Sequence, residues 1–263
     1  MKSDLPLTWL QPQWPAPASV RAVMTDRHGG VSRVPYDSMN LGDHVGDEIA
    51  HVLANRARLQ NALGRRPVFL QQVHGADSVL LDGSVPDGLQ ADACISTTAD
   101  VACTIMVADC LPVLLCDAAG RWVAAAHAGW RGLAGQAGQG VLERLMASEP
   151  IGQSSGSDTM AWLGPCIGPQ AFEVGPEVRA AFCETDTQAA ALFRPLGPGK
   201  FLADLAGLAR QRLRRLGVSQ IFGNDSQAPW CTVTQASRFF SHRRDGRVLG
   251  QSGRMAACIW LER

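Results

Sequence analysis

Three side chains that can bind a metal ion stand beside short breaks in the apolar segments of this 263-residue sequence. His74 lies in "VFLQQVHGAD", Cys110 interrupts "TIMVADCLPVLLCD", and His127 follows the alanines of "RWVAAAHAGWRG". Two imidazoles and one thiolate form the three-ligand set typical of a catalytic zinc ion, whose fourth position stays open for water or substrate. The three residues are separated by 36 and 17 positions. No local metal-binding motif joins them, so their convergence on one ion is a hypothesis.

The same atoms also suit a metal-free chemistry. Cys110 would act as a nucleophile and His127 as its base, as in thiol hydrolases. A single histidine at the end of a strand is, moreover, commonly a hydrogen-bonding residue without a catalytic role. The residues alone leave these alternatives open.

Apolar runs around the candidate ligands predict the strands that position them. Residues 102–109, 112–118 and 121–128 read as three strands, and the "AAG" break makes the last two a hairpin. Their nearly continuous apolar character indicates strands covered on both faces. Glycines after the histidines would let the backbone turn away, and Pro112 would end strand hydrogen bonding beside Cys110. Further strands are predicted at 67–75, 160–168 and 254–262.

Helical periodicity appears in three other segments. Residues 47–63 place Ile49, Val52, Leu53 and Leu63 near one face, and residues 132–148 form a second, glycine-containing candidate. Residues 204–217 give an amphipathic helix on Leu205, Leu208 and Leu213 that ends at Gly217. The mixture predicts an α/β (α+β) fold. We expect a mixed sheet with helices on both sides, in one domain spanning residues 1–263.

Composition excludes several classes of protein. Lys plus Arg and Asp plus Glu each total 24, so the chain lacks the basic excess of a general nucleic-acid binder. No apolar run reaches the length of a membrane span, and the amino-terminal segment lacks the apolar stretch of a signal peptide. None of the eight cysteines forms a C-x-x-C pair. We therefore expect a cytoplasmic protein with reduced thiols and no membrane partner.

Ordered blocks along nearly the whole chain carry a resemblance to a known family. They include "RHGGVSRVPYDSMNLGDHVGD", "QQVHGADS", "VADCLPVLLCD", "AAAHAGWRG", "LGPCIGP" and "FFSHRRDG". The sequence resembles the YfiH-like family, described as laccase-like polyphenol oxidase, purine nucleoside phosphorylase and peptidoglycan editing factor. Members often carry Tyr where His242 stands. The resemblance implies a zinc site at His74, Cys110 and His127 and layered, mixed sheets.

The resemblance also implies an activity and its partners. The expected reactions are phosphorolysis of adenosine, inosine and 5′-methylthioadenosine, and deamination of adenosine. A purine nucleoside and phosphate are the expected partners of a monomer or small homo-oligomer. For these reactions the residues offer candidates of their own: Asn40 for binding ribose or base, and Asp92 or Asp109 for moving a proton. The candidates for holding phosphate are the backbone amides of "HGGVS" and Arg27, Arg33 or Arg131. Each also has a structural alternative: a turn, the orientation of a ligand, or a solvated surface charge.

A copper oxidase is a weaker expectation. The chain has six histidines, none in an H-x-H pair, which is too few to ligate four coppers. Copper remains possible at the same Cys-His-His site, because Cu²⁺ binds most nitrogen and sulfur sites more tightly than Zn²⁺. The alternatives are thus a copper-dependent polyphenol oxidase, a cysteine-type amidase that edits peptidoglycan precursors, and a binding protein stabilised by zinc.

Overall fold

Three β-sheets and six α-helices make up the part of the chain that the computed structural model describes, residues 5–153 and 155–262. The strands are β1 (Val20–Met24), β2 (Arg66–Phe69), β3 (Ser78–Leu81), β4 (Ala93–Ser96), β5 (Val101–Val107), β6 (Leu111–Asp117), β7 (Val123–Ala128), β8 (Thr159–Leu163), β9 (Glu173–Val174), β10 (Phe193–Gly197), β11 (Lys200–Ala203), β12 (Gln220–Gly223) and β13 (Met255–Leu261). The helices are α1 (Ile49–Leu63), α2 (Trp130–Ala134), α3 (Val141–Ala147), α4 (Pro176–Cys183), α5 (Leu205–Arg215) and α6 (His242–Leu249). Residues 1–4, 154 and 263, which the single-domain prediction also covers, lie outside the described residues.

Two mixed sheets carry most of the strands. The four-stranded sheet has the order β1-β13-β5-β2, in which β2 runs parallel to β5 and the other pairs are antiparallel. The six-stranded sheet has the order β12-β8-β6-β7-β4-β3, with β6 and β7 as its central hairpin. A small antiparallel sheet has the order β10-β11-β9. The predicted hairpin and the mixed α/β class are confirmed.

The two larger sheets pack face to face. Ile105 of β5 and Ala257 of β13 belong to one buried apolar cluster with Leu114 of β6 and Ala125 of β7. On the outer face of the four-stranded sheet a second cluster joins Leu59 of α1 to residues of β1, β5 and β13. A third cluster joins the outer face of the six-stranded sheet to helices α2 to α5. Each large sheet is therefore covered by helices on its outer face only and by the other sheet on its inner face, which corrects the expectation of one sheet between helices.

Helix α1 forms as predicted and buries two of the four expected residues, Val52 and Leu63. Ile49 and Leu53 are each 58% exposed, whereas Val52 and Leu59 are fully buried. Asn55 is also buried, since its side-chain amide donates to the carbonyl oxygens of Ser38 and Asn40. The expectation was wrong for Ile49 and Leu53, because the buried face runs through Asn55, whose side-chain polar groups bond to a neighbouring loop.

The segment predicted as one helix over residues 132–148 is two short helices. Helix α2 ends at Gly135, which has a φ of 65°, and α3 begins after Gly140. A Cβ atom on Gly140 would lie 2.1 Å from the Leu133 carbonyl oxygen, so only glycine fits at this position. Helix α5 instead follows its prediction, with Leu205, Leu208 and Leu213 buried. Across the described residues, no helix is long and apolar enough to cross a membrane.

Candidate metal centre

The three expected ligands converge from one strand and two connecting loops. Cys110 directly precedes β6, and His127 lies in β7 opposite Pro112. His74 lies between β2 and β3, where the chain passes from the four-stranded to the six-stranded sheet. Two local expectations are wrong: His74 is not at the end of a strand, because β2 stops at Phe69, and Pro112 lies within β6 instead of ending a strand.

The donor atoms fit one metal ion. The Sγ atom of Cys110 lies 3.8 Å from Nε2 of His74, and the ligand atoms of all three residues lie within 4.8 Å of one another. Tetrahedral zinc with ordinary Zn–S and Zn–N bonds separates a sulfur and a nitrogen ligand by roughly 3.5 Å. A small inward movement of the side chains would therefore complete the coordination. Two imidazoles and one thiolate are also a donor set that zinc or copper accepts.

Asp92 organises both histidines through one buried carboxylate. Its Oδ1 atom lies 2.8 Å from Nδ1 of His127 and accepts a hydrogen bond of 2.9 Å from the His74 amide. Its Oδ2 atom accepts from the amides of Val73 and Gly75. Because Nδ1 of His127 bonds to Asp92, its Nε2 atom is left for a metal. A carboxylate at Nδ1 fixes the tautomer of a ligating histidine in this way. The structure therefore gives Asp92 a ligand-orienting role.

Two features of the backbone bring the ligands together. His74 adopts a left-handed conformation with a φ of 60°, held by the amide contacts of its loop to Asp92. A Cβ atom on Gly129 would lie 2.8 Å from Cδ2 of His74 and 3.1 Å from Sγ of Cys110. The glycine of "HAGW" is therefore required by the close approach of His74 and Cys110 to the backbone after β7.

The electrostatics of the cluster favour the protonation state of Cys110 that binds metals. Burial by itself would raise the pKa of the Cys110 thiol, but the neighbouring His127 and His74 lower this pKa to about 6. Burial opposes protonation of His127, while the Cys110 thiolate and Asp92 together raise the pKa of the imidazole. Metal binding needs the thiolate and displaces the proton from the imidazole.

The cluster opens into a cavity of about 370 Å³, within the usual size range of small-molecule sites. One part of its lining is apolar or aromatic and another is polar or charged. The apolar residues are Met106, Val107, Ala108, Trp130, Ile167, Phe172 and Leu205, and the polar ones are His44, Gln72, Asp109, His242, Arg243 and Arg254, beside His74, Cys110 and His127.

Asp109 is the predicted substrate residue that faces this cavity. Its φ of 88° turns the chain immediately before Cys110. Its Oδ1 atom accepts from the Thr232 hydroxyl at 2.6 Å, and its Oδ2 atom accepts from the Arg243 amide at 2.6 Å. Asp109 thus ties the metal-binding turn to the start of helix α6.

Asn40 and Arg131 stand outside the residues that line the cavity. Asn40 is fully buried, and its side chain bonds to Gly42, Asp47 and the amide of Arg254. Arg131 is exposed, with its guanidinium carbon 4.4 Å from the centre of the Trp130 ring. Asn40 therefore supports a turn, and Arg131 covers the side of an aromatic residue that does line the cavity.

Sequence reasoning missed the two arginines of the cavity, Arg243 and Arg254. Arg243 stands in the quoted block "FFSHRRDG", and Arg254 immediately precedes β13. The available signal was the position of a charged residue at the start of an entirely apolar strand, the same kind of signal that drew attention to Cys110.

Comparison with known proteins identifies the family of this chain. An Escherichia coli protein named purine nucleoside phosphorylase YfiH is 51% identical over 255 residues, covering 95% of this chain and 97% of the relative. A Pseudomonas aeruginosa protein named purine nucleoside phosphorylase is 49% identical, covering 97% and 98%. The family model described as multi-copper polyphenol oxidoreductase laccase matches residues 21–262. The chain belongs to the YfiH-like family.

Crystal structures of YfiH-like proteins share the layered arrangement. A Neisseria meningitidis protein superposes with a TM-score of 0.88 at 45% identity, over 97% of this chain and all (100%) of that one. Bacillus licheniformis YfiH superposes with a TM-score of 0.83 at 29% identity, over 92% and 93%. The mixed α/β architecture expected from the resemblance is therefore confirmed as that of the YfiH-like family.

Proposed function

We propose that this protein is a zinc-dependent purine nucleoside phosphorylase that accepts adenosine, inosine and 5′-methylthioadenosine and also deaminates adenosine. The observation that carries the proposal is a three-ligand cluster at one wall of a cavity with apolar and cationic parts. The names of the relatives support the phosphorylase activity. The three-ligand donor set supports zinc, since it leaves one coordination position for substrate.

His74, Cys110 and His127 would hold the ion, with His127 oriented by Asp92. Bound zinc would supply Lewis acidity at the floor of the cavity. Trp130 is placed in the lining to contact a purine face. These residues would bind and orient the nucleoside.

Phosphorolysis exchanges one bond at the sugar for another. A phosphate oxygen forms a bond to C1′ of the ribose while the glycosidic C–N bond breaks. The purine leaves with the electron pair and takes up a proton, and ribose 1-phosphate is released. The protein must therefore orient the base, hold the phosphate and supply a proton to the leaving base.

Deamination adds water to C6 of adenine and releases ammonia, which gives inosine. Among the described residues, Asp109 is the carboxylate that lines the cavity, so we assign it the transfer of protons between water and the leaving amine. Asp92 would act indirectly, because it is fully buried outside the cavity lining and bonds to the His127 ring.

The test is incubation of zinc-loaded protein with adenosine and phosphate, following ribose 1-phosphate, adenine and inosine. Cys110→Ala is expected to lose bound zinc and all three products. Cys183→Ala is the matched control, because Cys183 is half-buried in α4 and away from the cavity lining. Full turnover by Cys110→Ala would contradict the proposed site.

A cysteine-type amidase or hydrolase is the second candidate. The contact of Cys110 with two imidazoles favours it, since a thiol and a nearby base are the parts of a nucleophilic centre. Protein stripped of metal by a chelator distinguishes the two. Retained hydrolysis of a peptidoglycan-precursor amide without metal would favour the thiol nucleophile, and loss of nucleoside turnover restored by zinc would favour the phosphorylase.

A copper-dependent polyphenol oxidase has weaker support. Among the described residues, one cluster can hold a metal, and it uses two of the six histidines. Multicopper electron transfer needs several imidazole-rich sites, so copper would bind as a single ion in place of zinc. Faster oxidation of a phenol by copper-loaded protein than nucleoside turnover by zinc-loaded protein would favour the oxidase over the phosphorylase.

A further inference from the structure

Two arginines face the cavity without a carboxylate partner. Arg254 and Arg243 are half-buried and line the same cavity as the metal cluster. In residues 5–153 and 155–262, neither guanidinium lies within ion-pair distance of an acidic side chain. A partly buried cation costs free energy unless an anion compensates it. The arrangement points to an anion supplied from outside the protein.

Arg254 is held firmly at its backbone and stem. Its amide donates to Oδ1 of Asn40 at 2.8 Å, and its Nη1 donates to the carbonyl oxygens of Ser252 and Gly253 at 2.8 and 3.2 Å. A Cβ atom on Gly42 would lie 2.7 Å from Cγ of Arg254, so the stem passes directly over this glycine. With Nη1 committed, Nε and Nη2 have no hydrogen-bond partner among the described residues and form an available donor pair.

Arg243 is anchored in a similar way. Its amide donates to Asp109, and its Nη1 donates to the carbonyl oxygens of Glu173 and Ala171 at 3.2 and 3.4 Å. The Glu173 carboxylate is itself paired with Lys200 at 2.8 Å. Among the described residues, the guanidinium of Arg243 therefore has no carboxylate of its own within ion-pair distance at the same cavity.

The negative groups nearby are already engaged. Asp109 accepts from Thr232 and from the Arg243 amide, and Cys110 belongs to the metal cluster. Burial lowers the pKa of Arg254, and the negative charges of Cys110 and Asp109 partly offset this lowering. The guanidinium nevertheless stays protonated, as arginines in proteins do. A planar guanidinium donates two parallel hydrogen bonds to phosphate, a geometry that a lysine does not provide.

We propose that Arg254, assisted by Arg243, forms the phosphate subsite of the cavity, with Nε and Nη2 of Arg254 donating to two phosphate oxygens. The inference deepens the proposed function, on which it rests for the role of phosphate as a co-substrate. It replaces Arg131 as the phosphate-binding residue. It also makes Asn40 a positioning residue, which acts on phosphate through the backbone of Arg254.

The experiment is calorimetric titration of zinc-loaded protein with inorganic phosphate, in parallel with the phosphate KM. Arg254→Gln is expected to weaken phosphate binding at least about tenfold, the effect of removing hydrogen bonds to a charged group. Arg131→Gln is the matched control and is expected to bind phosphate as the parent protein does. Arg254→Lys keeps the charge and the stem but loses the fork, and is expected to bind more weakly than the parent.

Melting temperature and bound zinc establish that each variant is folded. If Arg254→Gln fails to fold, Arg243→Gln takes its place, with the same direction of change expected in phosphate affinity. Unchanged phosphate affinity in folded Arg254→Gln would overturn the assignment, as would a parent protein that binds no phosphate.

Adenosine 5′-monophosphate serves as a second ligand, because a nucleotide carries the same phosphoryl group. Loss of nucleotide binding in Arg254→Gln, with no phosphate binding by the parent, would overturn the assignment to free phosphate. Phosphate binding that depends on Arg254, in a protein without phosphorolysis, would retain the subsite and reject the proposed function. Phosphorolysis whose phosphate KM is unchanged in Arg254→Gln would reject the subsite and retain the proposed function.

Discussion

Asp92 joins the two histidines of the metal centre through a single buried carboxylate. It bonds to the His127 ring and to the backbone that carries His74, so removing its charge disturbs two of three ligands together. Its own pKa is lowered, since hydrogen bonding and charge interaction with His127 outweigh its burial. The residue next in importance to the ligands thus makes no contact with the metal.

Asp92→Asn is expected to lower zinc affinity about 10–100-fold, because an amide NH₂ group would meet the backbone amides that now donate to the carboxylate. Competition with a chromogenic chelator measures this. Asp77→Asn is the control on the same segment, where an exposed aspartate pairs with Arg144. Equal affinity in the two variants would show that Asp92 does not organise the ligands.

At this scale the sequence predicted which three side chains converge better than it predicted the residues around them. Cysteine and histidine beside glycine or proline carry a recognisable signal for metal binding. Asp92 was expected at the site, but a buried carboxylate that orients a ligand and one that moves a proton have the same sequence signature. The signature of Arg254 was weaker, a charged residue directly before an apolar strand, and its lack of a carboxylate partner is visible only in the packed structure.

The junction of β7 and α2 is the element in which strand geometry and ligand geometry meet. Gly129 caps α2 with a φ of −66° and a ψ of 157°, values that alanine also adopts readily. Any effect of Gly129→Ala therefore comes from the Cβ contact with His74 and Cys110.

Gly129→Ala is expected to weaken zinc binding about tenfold or more, while the metal-free protein unfolds near the temperature of its parent. Zinc content after dialysis and a thermal melt measure the two effects. Gly197→Ala is the control, because a Cβ atom there meets open space. Full zinc retention by Gly129→Ala would mean that the His74 loop yields to the extra atom.

The turn between β6 and β7 depends on Asp117. This buried carboxylate accepts from Arg121 through Nε and Nη2 and from the amides of Ala119 and Arg121. The hydrogen bonds from Arg121 are the first reason that its pKa lies below the usual range. A carboxylate with a lowered pKa in the folded state stabilises the protein above its unfolded-state pKa, and this contribution disappears as the pH falls through the folded-state value.

Asp117→Asn is expected to lower the free energy of unfolding by about 1–3 kcal/mol at pH 7. The difference from the parent protein should shrink as the pH falls below about 4, the ordinary pKa of an aspartate. Urea unfolding at several pH values measures both. Asp100→Asn, at an exposed position, is the control and should change the free energy of unfolding little at any pH. A loss of stability in Asp117→Asn that does not depend on pH would exclude the carboxylate charge as the cause of that loss.

Elements with one dominant period were predicted well, and a segment interrupted by close backbone contacts at its glycines was not. Helix α5 and the β6–β7 hairpin follow directly from their patterns. The helical pattern over residues 132–148 breaks at Gly135 and Gly140, where a Cβ atom would lie 2.1 Å from the carbonyl oxygen of Gln139 or of Leu133 in the same segment. A local pattern contains no information about such an approach.

At the scale of the molecule, the metal centre draws on both large sheets. His127 belongs to β7 of the six-stranded sheet, whereas His74 and Cys110 stand on the β2–β3 and β5–β6 connections, which both pass from the four-stranded to the six-stranded sheet. The sequence predicted buried strands but not that their second face meets another sheet, since strand composition is the same in either case. One domain over residues 1–263, a monomer or small homo-oligomer and a cytoplasmic location stay predictions.

Zinc bound at this position should stabilise the fold, because it binds the folded chain and not the separated ligands. At a free zinc concentration of 100 times Kd the gain is about 2.7 kcal/mol. Chelation should therefore lower the melting temperature of the parent protein and leave that of Cys110→Ala unchanged. Equal shifts in both proteins would indicate that the ion acts elsewhere.

Strand β13 occupies an interior place in the four-stranded sheet, between β1 and β5, although it spans residues 255–261. During synthesis β1, β2 and β5 emerge from the ribosome long before the strand that joins β1 to β5. Arg254 reaches the cavity in the same step, directly ahead of β13. A nascent chain can thus gather its thiol and imidazoles early, but the anion pocket must wait for one of the latest segments to be translated.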